Sequence, residues 1–380
     1  MSATKRHLMQ WGTGRPATAG STGSESAPGS RRGAATVVLE DPGHLDAVLV
    51  AGLAGPGATV FVPGHPGTEA GTGPDAGPAV IGYEGSFGEP GGEGSIGSDF
   101  YLQVQSYGVS AYMSVVGPTL LRVADESDFE AFLDDADRAR HDGVFADFLT
   151  HPVMQLADLP ALGAGPSGDG PLLRLHVAAD GGVSTSPAGR RLGEPGDAFT
   201  VLEENWRRYN EESGQPCPVA LGLVLPEDVR SAALAARPWL GRYLAAVDGL
   251  RDLRARGLDR LRVSGFGGRM LPALEAVPGA DTGSDVPLLL WNEDASFLYS
   301  AHSAHSTDSG HGPGAGRRLF QLERKAAQAA EALLVLGSRP AAAEFTDEEH
   351  LAAVDRFFTG AGVPLDSVGA VAAASVPAGR

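Results

Sequence analysis

Cysteine and lysine are nearly absent from this sequence of 380 residues. The single cysteine, Cys217, excludes disulfides within the chain and metal sites built from several thiolates, and it is best read as a small buried hydrophobe. Lysine occurs only at Lys5 and Lys325 among 29 basic residues. A Schiff-base enzyme needs a buried lysine, and a phosphate-binding P-loop needs the pattern G-x-x-x-x-G-K-[ST]. Neither lysine lies in such a context, so neither pyridoxal-phosphate chemistry nor a P-loop function is expected.

Positive charge is also scarce, because 29 basic residues against 47 acidic ones give a formal net charge of −18 at pH 7. This excess argues against nucleic acid or an anionic membrane as a general partner, since both require basic patches. No apolar run reaches membrane-spanning length, and the first residues lack the apolar stretch of a signal peptide. We therefore expect a cytoplasmic protein with no nucleic-acid partner, no membrane partner and no cofactor.

The length predicts about two domains, and a hydrophobic content of 42% is enough to form real cores. We expect a mixed α/β or α+β fold with two lobes, each a mixed sheet with flanking helices. A flexible tail is predicted at 1–34, an α/β domain at 35–163, an α+β domain at 171–360 and a frayed tail at 361–380. The segment His7–Trp11 (HLMQW) forms a small apolar island. It is either one or two exposed apolar residues in the first tail or a segment that docks on this protein or a partner.

The strongest β pattern lies between Ser98 and Ala124. A first strand with period-two alternation should reverse at Gly108, a second should cover Val109–Val115 and a third Thr119–Val123. A helix with a capping box comes next. The segment Ser98–His141 is thus predicted to have β-β-β-α order.

One face of this predicted hairpin is polar but rich in tyrosine. Such a face, or an unpaired edge of its sheet, could accept an added peptide strand. The alternatives are an ordinary solvated face and a face covered by a neighbouring helix. The residues predicted to contact a peptide here are Tyr101, Gln103, Gln105, Tyr107 and Tyr112.

Other segments have recognisable patterns. Ala35–Val62 reads as a parallel β–α–β unit but lacks G-x-G-x-x-G, so a nucleotide-using α/β enzyme is kept only as an alternative. Hairpins are predicted at Leu172–Ser186, where Asp-Gly marks the turn, and between Val286 and Ser300. Val219–Leu225 reads as a strand and Arg318–Leu336 as one long helix.

One cluster of side chains could carry chemistry. The segment AHSAHSTDSGHGPGAG contains imidazoles and a carboxylate that suit zinc or a similar ion; they are His302, His305, Asp308 and His311. Their spacing matches no established motif, and a flexible polar loop is the alternative. A metal-dependent enzyme is therefore a second functional hypothesis. The pattern G-x-S-x-G is absent, so a nucleophile elbow is not supported.

Two segments taken together resemble the recognition proteins of actinobacterial daptide biosynthesis. They are KRHLMQWGTGR, from Lys5 to Arg15, and LLRLHVAADGGVSTSPAGRRLG, from Leu172 to Gly193. The resemblance covers most of the chain and implies a non-catalytic accessory protein, with no catalytic residue to carry over. Such a protein would bind the leader of a ribosomally made precursor peptide. It would support the enzymes that modify that peptide, which include an oxidative decarboxylase, an aminotransferase and a methyltransferase.

The resemblance also suggests how a leader would bind. Precursor binders commonly combine a small sheet with helices and capture the leader as an added strand, and the β-β-β-α order of Ser98–His141 would suit that mode. Leaders are often acidic, and this chain is acidic too. Binding would then need backbone pairing, apolar pockets and local arginines such as Arg122 or Arg174.

Overall fold

The computed structural model describes residues 3–16, 33–65, 77–98, 100–165, 169–277, 279, 283, 286–300 and 318–365. Within these residues the chain forms nine α-helices and two sheets, which contain nine and four strands. The helices are α1 (Ala3–Thr13), α2 (Leu45–Val50), α3 (Glu126–Asp142), α4 (Phe199–Glu212), α5 (Glu227–Ala236), α6 (Leu240–Arg254), α7 (Arg324–Leu336), α8 (Arg339–Ala342) and α9 (Glu348–Gly360). The strands are β1 (Ala34–Leu39), β2 (Ala54–Pro63), β3 (Ala79–Gly85), β4 (Glu93–Ile96), β5 (Phe100–Ser106), β6 (Thr119–Arg122), β7 (Met154–Leu156), β8 (Arg174–Val177), β9 (Val183–Ser184), β10 (Arg262–Val263), β11 (Leu288–Trp291), β12 (Ser296–Ser300) and β13 (Arg318–Leu322).

The larger sheet has nine strands in the order β7-β6-β5-β4-β3-β2-β1-β8-β9. Its strands are parallel except for β4 and β9, which run antiparallel to their neighbours. The predicted β–α–β unit is confirmed, because β1, α2 and β2 follow one another and the two strands are parallel. The predicted hairpin of β8 and β9 is confirmed as well. Gly181 in its turn has φ +81°, a conformation that favours glycine.

Helices cover both faces of this sheet. On one face, Val37 and Leu39 of β1 belong to an apolar cluster with residues of α2 and α4. On the other face, Val38 of β1 packs in a cluster with Leu8 and Trp11 of α1. The β6 end of the sheet is covered by α3 and α6, whose side chains share the largest cluster. Each strand near the centre is therefore apolar on both sides, as in other largely parallel sheets.

The amino-terminal segment is a docked helix, which corrects the prediction of a flexible tail over 1–34. Leu8 and Trp11 of α1 are buried against the sheet, and the indole Nε1 of Trp11 donates to the carbonyl of Leu175 over 2.9 Å. Of the two interpretations of the apolar island His7–Trp11, docking on this protein is the one observed. Residues 17–32 lie outside the described residues.

The hairpin predicted at Gly108 does not form. After β5 the chain makes a three-ten helix at Ser110–Tyr112 and then crosses to β6, which runs parallel to β5. The backbone N–H of Gly108 donates to a carboxylate oxygen of Asp128 in α3 over 2.7 Å. This bond ties the chain to α3 instead of letting it turn back along β5. The alternation over Val109–Val115 was therefore a misleading signal, although the third strand is confirmed as β6.

The smaller sheet is antiparallel, in the order β10-β11-β12-β13. The predicted hairpin between Val286 and Ser300 is confirmed as β11 and β12. One face of the sheet packs in the cluster that includes α6, and the other packs against α7 and α9. The long helix predicted over Arg318–Leu336 is corrected to strand β13 followed by α7. The strand predicted at Val219–Leu225 is corrected to a three-ten helix at Val219–Leu221.

The mixed α/β fold class with two sheets is thus confirmed, but the sheets do not divide at 163–170. Strands β8 and β9 come after that point and complete the nine-stranded sheet. The predicted tail at 361–380 begins with packed chain, since Val363 and Leu365 are buried. Residues 366–380 lie outside the described residues. No α-helix in the described part of the chain is long and apolar enough to cross a membrane.

A buried ionic network connects α1 to the larger sheet. One carboxylate oxygen of Asp158 accepts from Nη1 of Arg174 over 2.7 Å, and the other accepts from Nη1 of Arg122 over 3.2 Å. Arg174 also pairs with Asp169, and its Nη1 donates to the backbone carbonyl of Trp11. Two guanidinium groups therefore meet two carboxylates away from water.

The two arginines differ in their electrostatic surroundings. Burial lowers the pKa of Arg122 to about 10, because Asp158 and Glu40 only partly offset the desolvation and the charge of Arg174. Burial also acts to lower the pKa of Arg174, but the adjacent carboxylates of Asp158 and Asp169 raise it above its ordinary value. Both side chains carry a charge at neutral pH, so the network depends on its acidic members.

The substitution Asp158→Asn tests this dependence, since it keeps the side-chain size but removes a charge between two buried cations. We expect the free energy of unfolding, measured by chemical denaturation, to fall by about 3–5 kcal/mol. Asp147→Asn is the matched control, because Asp147 is 93% exposed in its pair with Arg254 and should change stability by less than about 1 kcal/mol. Equal stability of the two variants would contradict the assignment.

Candidate functional site

The face predicted to bind a peptide is divided between the interior and the surface. Tyr101 and Gln103 are half-buried on β5, and Gln105 and Tyr107 are buried. The Tyr107 hydroxyl donates to a carboxylate of α3 over 2.9 Å. Tyr112 lies beyond the strand and is 89% exposed. The carboxyl end of this face is therefore covered by a neighbouring helix, one of the two alternatives considered above.

Strand β5 has no free edge to offer a guest strand. It pairs antiparallel with β4 on one side and parallel with β6 on the other. A peptide could join this sheet here only by displacing a strand. The structure therefore gives no support to strand addition within Ser98–His141.

The two arginines proposed as contacts for an acidic leader lie inside the protein. Arg122 and Arg174 are almost fully buried, and both are bonded to Asp158. An acidic peptide would have to break this network to reach either guanidinium. Their role is the structural one described above, and they are not brought together with Tyr101, Gln103 or Tyr112 at a common surface.

The turn after β1 is unsuited to a nucleotide phosphate, although helix starts after strands commonly bind phosphate in such sheets. The N–H of Gly43 already donates to the carboxylate of Asp41 over 2.7 Å. Glu40 beside it accepts from Nε2 of His176 and from the N–H of Ala179. The hydrogen bond from His176 lowers the pKa of Glu40. Two carboxylates at this turn would repel a phosphate.

Cys217 and the predicted metal ligands are the two other groups that could carry chemistry. Cys217 is buried, and burial raises the pKa of its thiol, so the nucleophilic thiolate is disfavoured. The predicted metal ligands lie outside the described residues; they are His302, His305, Asp308 and His311. Within the described part of the chain, no three His, Cys, Asp or Glu side chains are grouped to hold a metal ion.

Sheet edges are the remaining places where a peptide could pair with the backbone. In the described structure the edge strands are β7, β9, β10 and β13. The first three contain three, two and two residues, whereas β13 contains five. A short edge gives an added strand few hydrogen bonds. β13 is therefore the best edge for strand addition in this part of the chain.

β13 pairs with β12 in a regular antiparallel register, in which Leu298 lies opposite Phe320. In such a ladder, alternate residues direct N–H and C=O to the partner strand and the others direct them away. About two or three of the five residues of β13 thus point their backbone groups to the outer side. No other described strand pairs with that side.

Aromatic side chains of helix α9 pack against one face of β13. The ring of Phe320 on β13 contacts Phe357 and Phe358 of α9 at centroid distances of 5.9 Å and 5.1 Å. Phe358 is buried, but Phe357 is 56% exposed. The side chain of Arg318 also donates to the carbonyl of Ala361, which fixes the start of β13 at the end of α9. β13 therefore has one side with which no other described strand pairs, and its Phe320 contacts the exposed ring of Phe357.

The small sheet and the helices behind it follow the order β11-β12-β13-α7-α8-α9. The β-β-β-α order predicted for Ser98–His141 is corrected to the two strands β5 and β6 followed by α3. We call β13 and the Phe357 side of α9 the β13 groove.

Comparisons of the chain with protein families, curated proteins and solved structures all gave the same result. No protein-family model, curated protein or solved structure matches this chain. The case for a function therefore rests on the sequence and on the geometry of the described residues.

The β13 groove was not predicted from the sequence, because RLFQL (Arg318–Leu322) was interpreted as the start of a helix. Leu319 and Leu322 have helical spacing, and α7 does begin at Arg324. The alternation of apolar Phe320 and Leu322 with polar Gln321 was the available signal, but five residues are too few to separate the two periods. Pairing with β12 decides the conformation.

The helices behind the groove are held by a buried carboxylate. Glu331 of α7 accepts from the Ser264 hydroxyl and from the backbone N–H groups of Met270 and Leu271, over 2.6 to 2.8 Å. Burial raises the pKa of Glu331 above its ordinary value of 4.5, although these donors act in the opposite direction. The carboxylate therefore ionises at a higher pH in the folded protein than in the unfolded chain.

This shift predicts a pH dependence with a definite sign. Between about pH 4.5 and the raised pKa, the unfolded chain loses its proton first, so folding becomes less favourable as the pH rises. Glu331→Gln lacks this effect. We expect denaturation experiments from about pH 4 to pH 8 to show the stability difference moving in favour of the glutamine variant as the pH rises. A difference that does not change with pH would contradict the shift.

Proposed function

We propose that this protein is a non-catalytic accessory protein that binds the leader of a ribosomally made precursor peptide. The leader would add as a strand to the outer side of β13. The enzymes served would be the oxidative decarboxylase, aminotransferase and methyltransferase that the resemblance implies. The observation that supports this most is the β13 groove, in which a strand with no described partner on its outer side carries Phe320 in contact with the exposed ring of Phe357.

Strand addition divides recognition between backbone and side chains. The outward N–H and C=O groups of β13 would bind any extended segment in register. Selectivity would come from the side chains of the guest that face α9, since alternate residues of a strand point to the same side. Phe320 and Phe357 form an apolar surface there. A large apolar side chain of the leader would fill it.

The substitution Phe357→Ser tests the groove. Phe357 is exposed, so its loss should leave folding intact, but it removes the aromatic contact for the guest. We expect the affinity for the leader of its precursor peptide to fall about 10-fold or more, as for a central aromatic residue of an interface. Fluorescence anisotropy of the labelled leader gives the dissociation constant.

Val50→Ser is the matched control, because Val50 at the end of α2 is 90% exposed and lies outside the groove. It should bind as the wild type does. Leader peptides N-methylated on alternate amides provide a backbone test: one set should abolish binding and the other should preserve it. Binding that survives both sets, or an unaffected Phe357→Ser variant, would count against strand addition at β13. Failure of the wild-type chain to bind the leader would remove the proposal.

A second surface would serve the partner enzymes. The loop between β5 and β6 exposes four large apolar side chains within eight positions; they are Val109, Tyr112, Met113 and Val116. Clustered exposed apolar residues mark interaction sites more often than scattered ones do. The loop is anchored at its base, where the Ser110 hydroxyl donates to the Ser106 carbonyl over 2.6 Å. We assign the contact with a modifying enzyme to this loop.

The double variant Tyr112→Ser/Met113→Ser separates the two surfaces. It should bind the leader with wild-type affinity, because the loop is not part of the β13 groove. It should reduce modification of the precursor by the reconstituted enzymes about 10-fold, measured by mass spectrometry of the product. Unchanged modification would show that the enzymes dock elsewhere.

A further inference from the structure

The peptide segment that fits the β13 groove can be described by its charge and direction. This inference rests on the proposed function, because it assumes that a strand is added to β13. The chain carries a net charge of −18, which would repel an acidic peptide from most of the surface. At the carboxyl end of β13, however, the groove carries basic residues.

The carboxyl end of β13 leads directly into a basic helix start. Arg324 and Lys325 form the beginning of α7, and both are exposed. Neither makes an ion pair with another described residue. The first turn of α7 contains no acidic residue, and Glu323 before it makes no capping hydrogen bond through its side chain.

This arrangement is unfavourable for the helix by itself. The start of a helix carries partial positive charge, so cations there are destabilising and acidic residues are stabilising. Helices α3, α5 and α9 follow that rule with acidic residues in their first turns. In α7 the two side-chain cations outnumber the single carboxylate of Glu323, so the side chains and the helix dipole together give a net positive potential at the point where a strand paired with β13 would begin or end.

The direction of a guest strand follows from the strand pairing in the smaller sheet. All pairings in the smaller sheet are antiparallel, and a guest that continues this pattern runs antiparallel to β13. Its amino-terminal part then lies at the carboxyl end of β13, beside Arg324 and Lys325. Its later residues pass Phe320 and Phe357 and leave near Arg318.

We infer that the β13 groove selects an extended peptide in which acidic residues come before a large apolar residue. The apolar residue lies against Phe320 and Phe357. At ~3.3 Å per residue, and with the reach of long basic side chains, the acidic residues precede it by about two to five positions. Charge complementarity with Arg324 and Lys325 explains how a strongly acidic protein can bind an acidic guest.

A peptide selection from random sequences tests this inference with no ligand chosen in advance. The full chain is immobilised and challenged with an mRNA-displayed library of random peptides of about 15 residues. We expect the enriched sequences to share Asp or Glu about two to five positions before Leu, Ile, Phe, Tyr or Trp. A synthetic copy of an enriched peptide should bind about 10-fold more tightly than the same residues in reversed order.

Charge exchange identifies the cations. The double variant Arg324→Glu/Lys325→Glu should bind the enriched peptide about 10-fold more weakly, and a peptide with lysine in place of its acidic residues should restore binding. The variant should fold, because acidic residues suit the first turn of α7. Arg207→Glu/Arg208→Glu on α4 is the matched control; it changes the net charge equally and should leave the affinity unchanged.

The possible outcomes distinguish failure of this inference from failure of the proposed function. Enriched peptides without the acidic residues, or with equal affinity for the charge-reversed variant, would overturn the inference and leave peptide recognition standing. Enriched peptides that bind Phe357→Ser as well as they bind the wild type would overturn the β13 groove as the site. A selection with no enriched peptide would overturn the proposed function together with the inference.

Discussion

The contact between Asp158 and two buried arginines is the constraint on which the architecture depends. Asp158 follows β7, Arg122 ends β6 and Arg174 begins β8, so one carboxylate joins three parts of the larger sheet. The backbone of Asp158 adopts a left-handed conformation, φ +52°, which a non-glycine residue adopts only when its surroundings hold it there. Its N–H donates to the carbonyl of Gly12, and this bond brings α1 into the same unit.

The same network explains why two distant segments occur together in one sequence. The segments Lys5–Arg15 and Leu172–Gly193, which carry the resemblance, pack against each other in the structure. Trp11 donates to the carbonyl of Leu175, and Arg174 donates to the carbonyl of Trp11. Each segment supplies the polar partner that the other needs when it is buried. Their joint presence is thus accounted for by folding, whatever further role they have.

This packing also affects where recognition can take place. Largely parallel sheets usually bind ligands at the carboxyl ends of their strands. Here those ends carry Glu40, Arg122, Asp158 and His176, and these polar groups bond to one another. The smaller sheet has no comparable saturation at β13, where one side of the strand is paired with β12 and no other described strand pairs with the opposite side.

The sequence alone determined the fold class, the β–α–β unit and two of the three predicted hairpins, β8-β9 and β11-β12, because these depend on local alternation and on turn residues such as Asp180-Gly181. It could not determine which strands become neighbours. Helix α1, the parallel crossover from β5 to β6 and the short strand β13 all depend on contacts with residues distant in the chain. The sequence could not show for the same reason whether a polar face or a strand edge is free, because this depends on what packs against it. That property belongs to the tertiary structure, since each local pattern is compatible with several partners and only the assembled core selects one.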